Sequence, residues 1–520
     1  MHILMLAAEN DSLPGGKVGG LGDVIRDLPV ALAAAGHRVT IVTPAYGIYD
    51  SLPQAQALAE LRVPFGGGVE EVGVYTVSLP ATGPAVTTLV LRHPLFAAGG
   101  PGRIYTDDGE GPFATDAHRF ALASAAAAEA LLQGVIAGVD VVHCHDWHTA
   151  AFLFLRRFDE HYAALRELPA VFTIHNLSLQ GIRPLRGHWS SLEAWFPGIS
   201  YAADLIIDTR YHDCVNLMRV AINLADRVST VSPGYAREIT RPSDWSQGVA
   251  GGDGLESDLR RLSDAHTLVG ILNGCDYDAK IPPAVTATEL WPLVELQLDH
   301  WAAATPAPSH YFALKQVLHL RRRRRPVQPL FLSVSRLTYQ KMGFLALDHG
   351  GQTVLDAILS ALGSGVYILL GSGDESYEAL FNEHMRRHDN FLYLSGYAES
   401  LADTLYSSCD LFLMPSVFEP CGISQLLAMR AGMPCLVHRT GGLNDTVRDG
   451  DNGFSFGGDS LAEKLANLLR TVDSALDLYH RQADAWQRLA ASAASTRFTW
   501  KLAAEQYLES LYAPAQGLSD

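Results

Sequence analysis

Cysteine is scarce: six residues (Cys144, Cys214, Cys275, Cys409, Cys421 and Cys435) are scattered over 520 positions, with no C-x-x-C. That spacing gives no disulfide framework and points to reduced thiols in a cytoplasmic enzyme. Positive charge is also short. With 39 Lys and Arg against 56 Asp and Glu, the formal net charge is −17, which argues against a general nucleic-acid binder. An anionic substrate therefore needs local positive charge, and individual Lys and Arg residues gain weight. Long apolar runs are missing. The stretch from Ala121 to Val142 is interrupted by Glu129, Gln133 and Asp140, so it reads as a buried helix followed by a strand rather than a membrane span. The first apolar run has no basic segment before it and stops at Glu9 and Asn10; it reads as a strand, not a signal peptide. No repeat at solenoid spacing is visible.

What remains is the composition of an ordinary globular chain, long enough for two or more domains. Short apolar strands alternate with helical stretches: 2–8, 38–43, 140–145, 170–175, 227–232 and 268–272. Such runs predict a parallel, doubly wound sheet. A break follows Asn273-Gly274-Cys275-Asp276, and residues 281–310 hold several prolines and little regular pattern. Strands resume at 330–335, 366–370, 391–394, 411–414 and 434–437, predicting a second α/β unit of similar design. Two such units facing each other place a cleft at the C-terminal ends of their strands.

The residues at those strand ends carry the chemistry. Lys17-Val18-Gly19-Gly20-Leu21-Gly22-Asp23 lies between the first strand and a helix predicted over 21–35. A Gly-rich turn opening a helix presents backbone N–H groups and a positive dipole end to an anion, and Lys17 adds a full charge. It is neither a dinucleotide fingerprint nor a Walker loop, and a Gly-rich turn with no ligand fits it equally. His143, Cys144, His145, Asp146 and His148 crowd one strand end, as metal ligands or as polar groups lining a cleft; the spacing matches no zinc pattern. His175 ends another strand, as a cleft residue or a hydrogen-bonded structural one. Asp276-Tyr277-Asp278 matches a D-x-D metal clamp, but its setting suggests a turn. Arg336 and Lys341 follow a strand and can converge on a diphosphate, each worth about 4 kcal/mol at ~4 Å and an effective dielectric of about 20. In 415–425, Gly422 and the amides after it can meet phosphate, and Glu419 is either a loop carboxylate or an acceptor for sugar hydroxyls. The run Arg321 to Arg325 reads as a solvated helix end or loop.

Taken in order, these motifs resemble the bacterial and plant glycogen and starch synthases, over nearly the whole chain. The resemblance is carried by Lys17 to Val24, His145 to His148, Phe172 to Leu177, Thr230 to Ile239, Leu272 to Gly274, Ser335 to Lys341, Glu419 to Gly422 and Thr440 to Leu443. It implies an α/β protein of two facing Rossmann-like domains (the GT-B fold) with an interdomain cleft. The domains would be 1–276 on the acceptor side and 277–497 for the nucleotide sugar, with 498–520 a helix returning to the first. It implies a retaining transfer of glucose from ADP-glucose to the non-reducing end of an α-1,4-glucan, with no metal and no cofactor, the nucleotide sugar being a substrate. By that likeness Asp23, Asp146 and His175 line the sugar site, and Lys17 sits near the donor phosphates or the transferred glucose. Arg336 and Lys341 grip the diphosphate, Glu419 supports the donor and Tyr397 stacks on the base. Gly19, Gly20, Asn273, Cys421 and Gly422 complete the substrate contacts.

Several positions depart from the family pattern. Met342 stands between Lys341 and Gly343, Val417 replaces an arginine, Leu179 an aromatic and Arg219 a lysine; Val220 and Ala221 replace smaller residues, and 244–257 looks expanded. Other readings remain: a related retaining transferase using UDP-glucose or a small acceptor, or a catalytically silent glucan-binding regulator. A phosphorylase would need a pyridoxal phosphate lysine, for which no motif is present.

Overall fold

The computed structural model describes residues 1–79, 82–106, 116–323 and 327–513. They fall into two compact units. The first comprises Met1–Ser243, Gly251–Gly274 and the chain from Trp500 on; the second comprises Asp244–Ala250 and Cys275–Thr499.

In the first unit the strands are β1 (His2–Leu6), β2 (Arg38–Pro44), β3 (Ala55–Phe65), β4 (Gly68–Val77), β5 (Val86–Arg92), β6 (Val141–His145), β7 (Ala170–Ile174), β8 (Ile182–Pro184), β9 (Cys214–Asn216), β10 (Arg227–Thr230) and β11 (Leu268–Gly270). Nine of them form one sheet in the order β11-β10-β7-β6-β1-β2-β5-β4-β3, and β8 pairs with β9. The sheet is parallel from β11 to β5. The predicted parallel sheet carries an antiparallel extension at one edge, where β4 runs antiparallel to β5 and β3 to β4. Gly66 and Gly67, both in the left-handed region with φ 62° and 76°, form the tight turn between β3 and β4, a geometry that lets two long strands reverse in two residues.

Strand β1 shows why this sheet is covered on both faces. Leu4 and Leu6 enter one core cluster with the helix Ala117–Leu132, while Ile3 and Met5 enter another with the helix Gly20–Ala34. Alternate side chains of a strand face opposite ways, so a fully apolar strand requires cover on each side. Trp500, Ala503, Ala504, Tyr507 and Leu511 pack into the second of these clusters.

The second unit has a six-stranded parallel sheet of β12 (Leu330–Val334), β13 (Val366–Gly371), β14 (Phe391–Ser395), β15 (Leu411–Met414), β16 (Cys435–His438) and β17 (Gly453–Phe456). Their order is β14-β13-β12-β15-β16-β17. The segment 281–310, which looked irregular, instead contains the helix Ala287–Ala304, opened by a reciprocal Thr286–Glu289 capping box and carrying Pro292 inside it. Among the described residues no helix is long and apolar enough to cross a membrane. Of the basic run, Arg321 ends a helix and pairs with Glu295, and Arg323 donates to the Asp389 carbonyl at 2.6 Å; Arg324 and Arg325 lie outside the described residues.

Candidate active site

Each sheet has one place where strand order reverses, between β1 and β6 in the first unit and between β12 and β15 in the second. Ligands in open α/β sheets gather beyond the C-terminal ends of the strands at such a point. The polar residues singled out in the sequence cluster largely there.

In the first unit, β1 leads to Glu9, β6 to Asp146 and β7 to His175. Glu9 Oε2 accepts hydrogen bonds from the backbone N–H groups of Val18 (2.8 Å), Gly19 (2.7 Å) and Gly22 (3.3 Å), and Tyr105 donates to Oε1 at 2.8 Å. The Gly-rich turn is therefore a cradle for an anion, but the anion it holds is the protein's own carboxylate. This corrects the expectation of amides open to a ligand. Gly20 begins the helix Gly20–Ala34, with Gly19 as its cap. Lys17 Nζ donates to Asp23 Oδ1 at 2.6 Å, and the Lys17 side chain is 41% exposed, so its charge remains reachable from solvent. Burial pushes the Asp23 carboxyl up, against the pull of Lys17.

Asp146 has φ 55°, a left-handed conformation that a non-glycine residue adopts only under local constraint. The constraint is visible: its Oδ1 accepts the N–H of His175 at 2.8 Å and of Asn176 at 3.4 Å, tying the end of β6 to the end of β7. Burial raises the Asp146 carboxyl to about 7, although these two N–H groups pull it down. His175 is 9% exposed, and burial lowers its imidazole to about 3, so it is neutral at pH 7. His143 and His145 are fully buried beside it. Among the described residues no three His, Cys, Asp or Glu side chains are grouped to hold a metal. Asn273 stands apart, beyond β11 at the sheet edge, with its Oδ1 buried and unpartnered among the described residues.

In the second unit, the loop after β12 carries Arg336, the helix Tyr339–Ala346 that follows it carries Lys341 in its first turn, and the loop after β15 carries Glu419. Val417 N–H donates to the Gln340 carbonyl at 2.8 Å, tying the start of that helix to the loop after β15. Lys341 Nζ forms an ion pair with Glu419 Oε2, which also accepts from Ser416 Oγ at 3.1 Å. Both partners are largely buried, whereas Arg336 is exposed and its guanidinium has no partner among the described residues. Gly422 has φ 81°, in the left-handed region, and the Gln425 side chain occupies the space a Cβ would need. Cys421 is buried, with its backbone against Gly442. Tyr397 is 62% exposed and follows β14 at the sheet edge, away from the β12–β15 junction.

The departures have local explanations. Met342 and Val417 are buried in the core, and a Cβ on Gly343 would lie 2.9 Å from Val417 Cγ2, so Val417 packs directly on that glycine. Arg219 pairs with Asp258 at 2.7 Å. Leu179 is exposed, and nothing in the structure explains it.

The first half of the chain, residues 2–261, matches the family model described as starch synthase catalytic domain, and residues 328–471 match glycosyl transferases group 1. A glycogen synthase from Streptococcus equi subsp. zooepidemicus is 36% identical over 98% of this chain and 99% of its own length. The chain belongs to the glycogen synthase family. A glycogen synthase from Streptococcus gordonii is 35% identical over 98% of each chain. Among solved structures, the catalytic domain of starch synthase IV from Arabidopsis thaliana, bound to ADP and acarbose, superposes with TM-score 0.75 and 29% identity over 98% of both chains. Sucrose-phosphate synthase from Thermosynechococcus elongatus shares the fold at TM-score 0.54 and 16% identity, covering 97% of this chain and 96% of its own. This member of the glycogen synthase family is thus a GT-B glycosyltransferase built from two Rossmann-like units.

Sequence reasoning missed Glu9 and Tyr105. Glu9 had one available signal, its place just beyond the end of the first strand; Tyr105 had none.

Proposed function

We propose that the protein transfers glucose from ADP-glucose to the non-reducing 4-hydroxyl of an α-1,4-glucan, with retention, in the cytoplasm. The observation that carries this reading is the Lys341–Glu419 ion pair at the strand-order reversal of the second sheet, on the same connection after β12 that carries an exposed Arg336. The starch synthase neighbour bound to ADP supports an ADP-bearing donor, and the six scattered cysteines with no C-x-x-C support the compartment.

In this reading Arg336 and Lys341 meet the donor diphosphate. The acceptor oxygen bonds to the anomeric carbon as the bond to diphosphate breaks, and ADP leaves with the acceptor's proton. Positive charge develops on the sugar and negative charge on the leaving group, where preorganised cations act most strongly. Glu419 holds the Lys341 ammonium in place and accepts from donor hydroxyls. A neutral His175 serves the sugar as a hydrogen-bonding group rather than a cation. Asp146 fixes the backbone on which His175 sits, and Asp23 orients Lys17 toward the phosphates or the transferred glucose. Tyr397 stacks on the base, and Gly20, Asn273, Cys421 and Gly422 supply further substrate contacts.

The test is nucleotide release from ADP-glucose, with UDP-glucose in parallel, with and without glycogen. Glycogen-dependent ADP release is expected. Release from UDP-glucose alone would move the donor assignment, and no release from either in a folded protein would favour a glucan-binding role without turnover.

A further inference from the structure

His175 has a buried partner. Its Nε2 lies 2.9 Å from Nδ1 of His145, the last residue of β6. The His145 ring lies against that of His143, with centroids 3.9 Å apart. Both nitrogens of His143 are engaged, Nδ1 with the Tyr512 hydroxyl at 2.7 Å and Nε2 with Thr173 Oγ1 at 2.6 Å. Thr173 Oγ1 is in turn 2.6 Å from Ser229 Oγ. His143 is thereby fixed at both ends, and its ring fixes the plane of His145. Burial holds all three imidazoles below their ordinary range, so each is neutral at pH 7 and carries a single N–H.

The location of the His145 proton follows from its other nitrogen. Nε2 of His145 is buried and has no hydrogen-bond partner among the described residues. A proton there would leave an unmet donor inside the protein. A proton on Nδ1 is met by His175 and leaves only an unmet lone pair, the less costly orphan. We propose that His145 is a positioning residue for His175: it donates from Nδ1 to His175 Nε2 and so fixes His175 as the tautomer protonated on Nδ1. His175 then offers a sugar oxygen an N–H rather than a lone pair. The consequence for turnover rests on the reading of His175 as a residue at the sugar; the tautomer itself does not.

Two measurements on the full chain test this. The first is a two-bond 1H–15N correlation spectrum of protein labelled with 15N-histidine, with the His175 signals identified by their loss in His175→Ala. The expected result at pH 7.5 is His175 protonated on Nδ1; protonation on Nε2 overturns the proposal. The second is steady-state kinetics of His145→Leu and His145→Asn. Leu removes the donor and should lower kcat at least about tenfold, while Asn, whose amide can place an N–H near the same point, should recover most of that loss. Equal losses in both, or no loss in either, would overturn it. If His175→Ala itself turns over normally, the assignment of His175 to the sugar fails, and the spectrum still decides what His145 does to it. If His145→Leu does not fold, the wild-type spectrum and the Asn variant carry the test.

Discussion

The carboxylate of Glu9 lies 2.7 Å from the amide nitrogen of Gly19, inside the turn that opens the first helix. One oxygen thus gathers three backbone donors, from Val18, Gly19 and Gly22. A charged acceptor makes such bonds roughly twice as strong as a neutral one. Glu9→Gln keeps an acceptor but loses the charge, and Glu9→Ala loses both. We expect kcat to fall at least about tenfold in Ala and less in Gln, because an ordered turn aims Lys17. Steady-state ADP release from the two variants checks the order; equal rates in both and in the wild type would mean the turn holds itself.

His175→Ala and Glu419→Ala should each lower turnover at least about 100-fold, since each removes a polar group from a buried site. Normal rates in folded variants would remove both residues from the mechanism.

Arg336 and Lys341 should separate in stability while agreeing in binding. Arg336→Ala removes an exposed cation and should leave the melting temperature unchanged. Lys341→Ala strands a buried Glu419 carboxylate, and breaking such a pair costs on the order of 3 kcal/mol. Both should weaken ADP binding, measured by calorimetric titration. Unchanged affinity in both would place the diphosphate elsewhere.

These residues were legible because they sit where sequence pattern speaks clearly, within a few residues of the C-terminal ends of short apolar strands. Arg336 and Lys341 after β12, Glu419 after β15 and His175 after β7 all follow that rule. Glu9 lay at a strand end too, but its role depends on Val18, Gly19, Gly22 and Tyr105, contacts made only when the chain folds. The helix Ala287–Ala304 buries Leu290, Trp291, Val294 and Leu298 along one face, yet Pro292 among other nearby prolines masked that period. The hairpin of β3 and β4 was missed for another reason. Much of β3 is exposed, so its alternation is carried by few apolar residues.

Acid should destabilise the fold. Burial lowers His148 and His175 to about 3 and His438 to about 4, against about 6.5 in the unfolded chain. A depressed folded value means stability that is complete above 6.5 and is lost as pH falls toward 3 to 4. Asp146, raised to about 7, works in the opposite sense: it favours the folded state at low pH, and that contribution fades as pH rises from about 4 to 7. His143 and His145, also lowered by burial, add to these three, and the lowered imidazoles outnumber the raised carboxyls of Asp146 and Asp23, so acidification gives a net loss. Melting temperatures at pH 7.5 and pH 5 should therefore differ, the lower pH giving the lower value. A flat profile would show that these imidazoles protonate without disturbing the fold.

The seven residues Asp244–Ala250 belong to the second unit although the chain on either side of them belongs to the first. Within the second unit Trp245 lies against Phe418, next to Glu419, and the Lys464 ammonium donates to the carbonyls of Gln247 (2.7 Å) and Gly248 (3.0 Å). The polypeptide therefore passes between the units at four points rather than one. No single cut separates the halves cleanly. A fragment beginning at Cys275 leaves Lys464 buried without its two carbonyls and Phe418 without its indole, so dissecting this enzyme into independently expressed domains requires transplanting that short stitch as well.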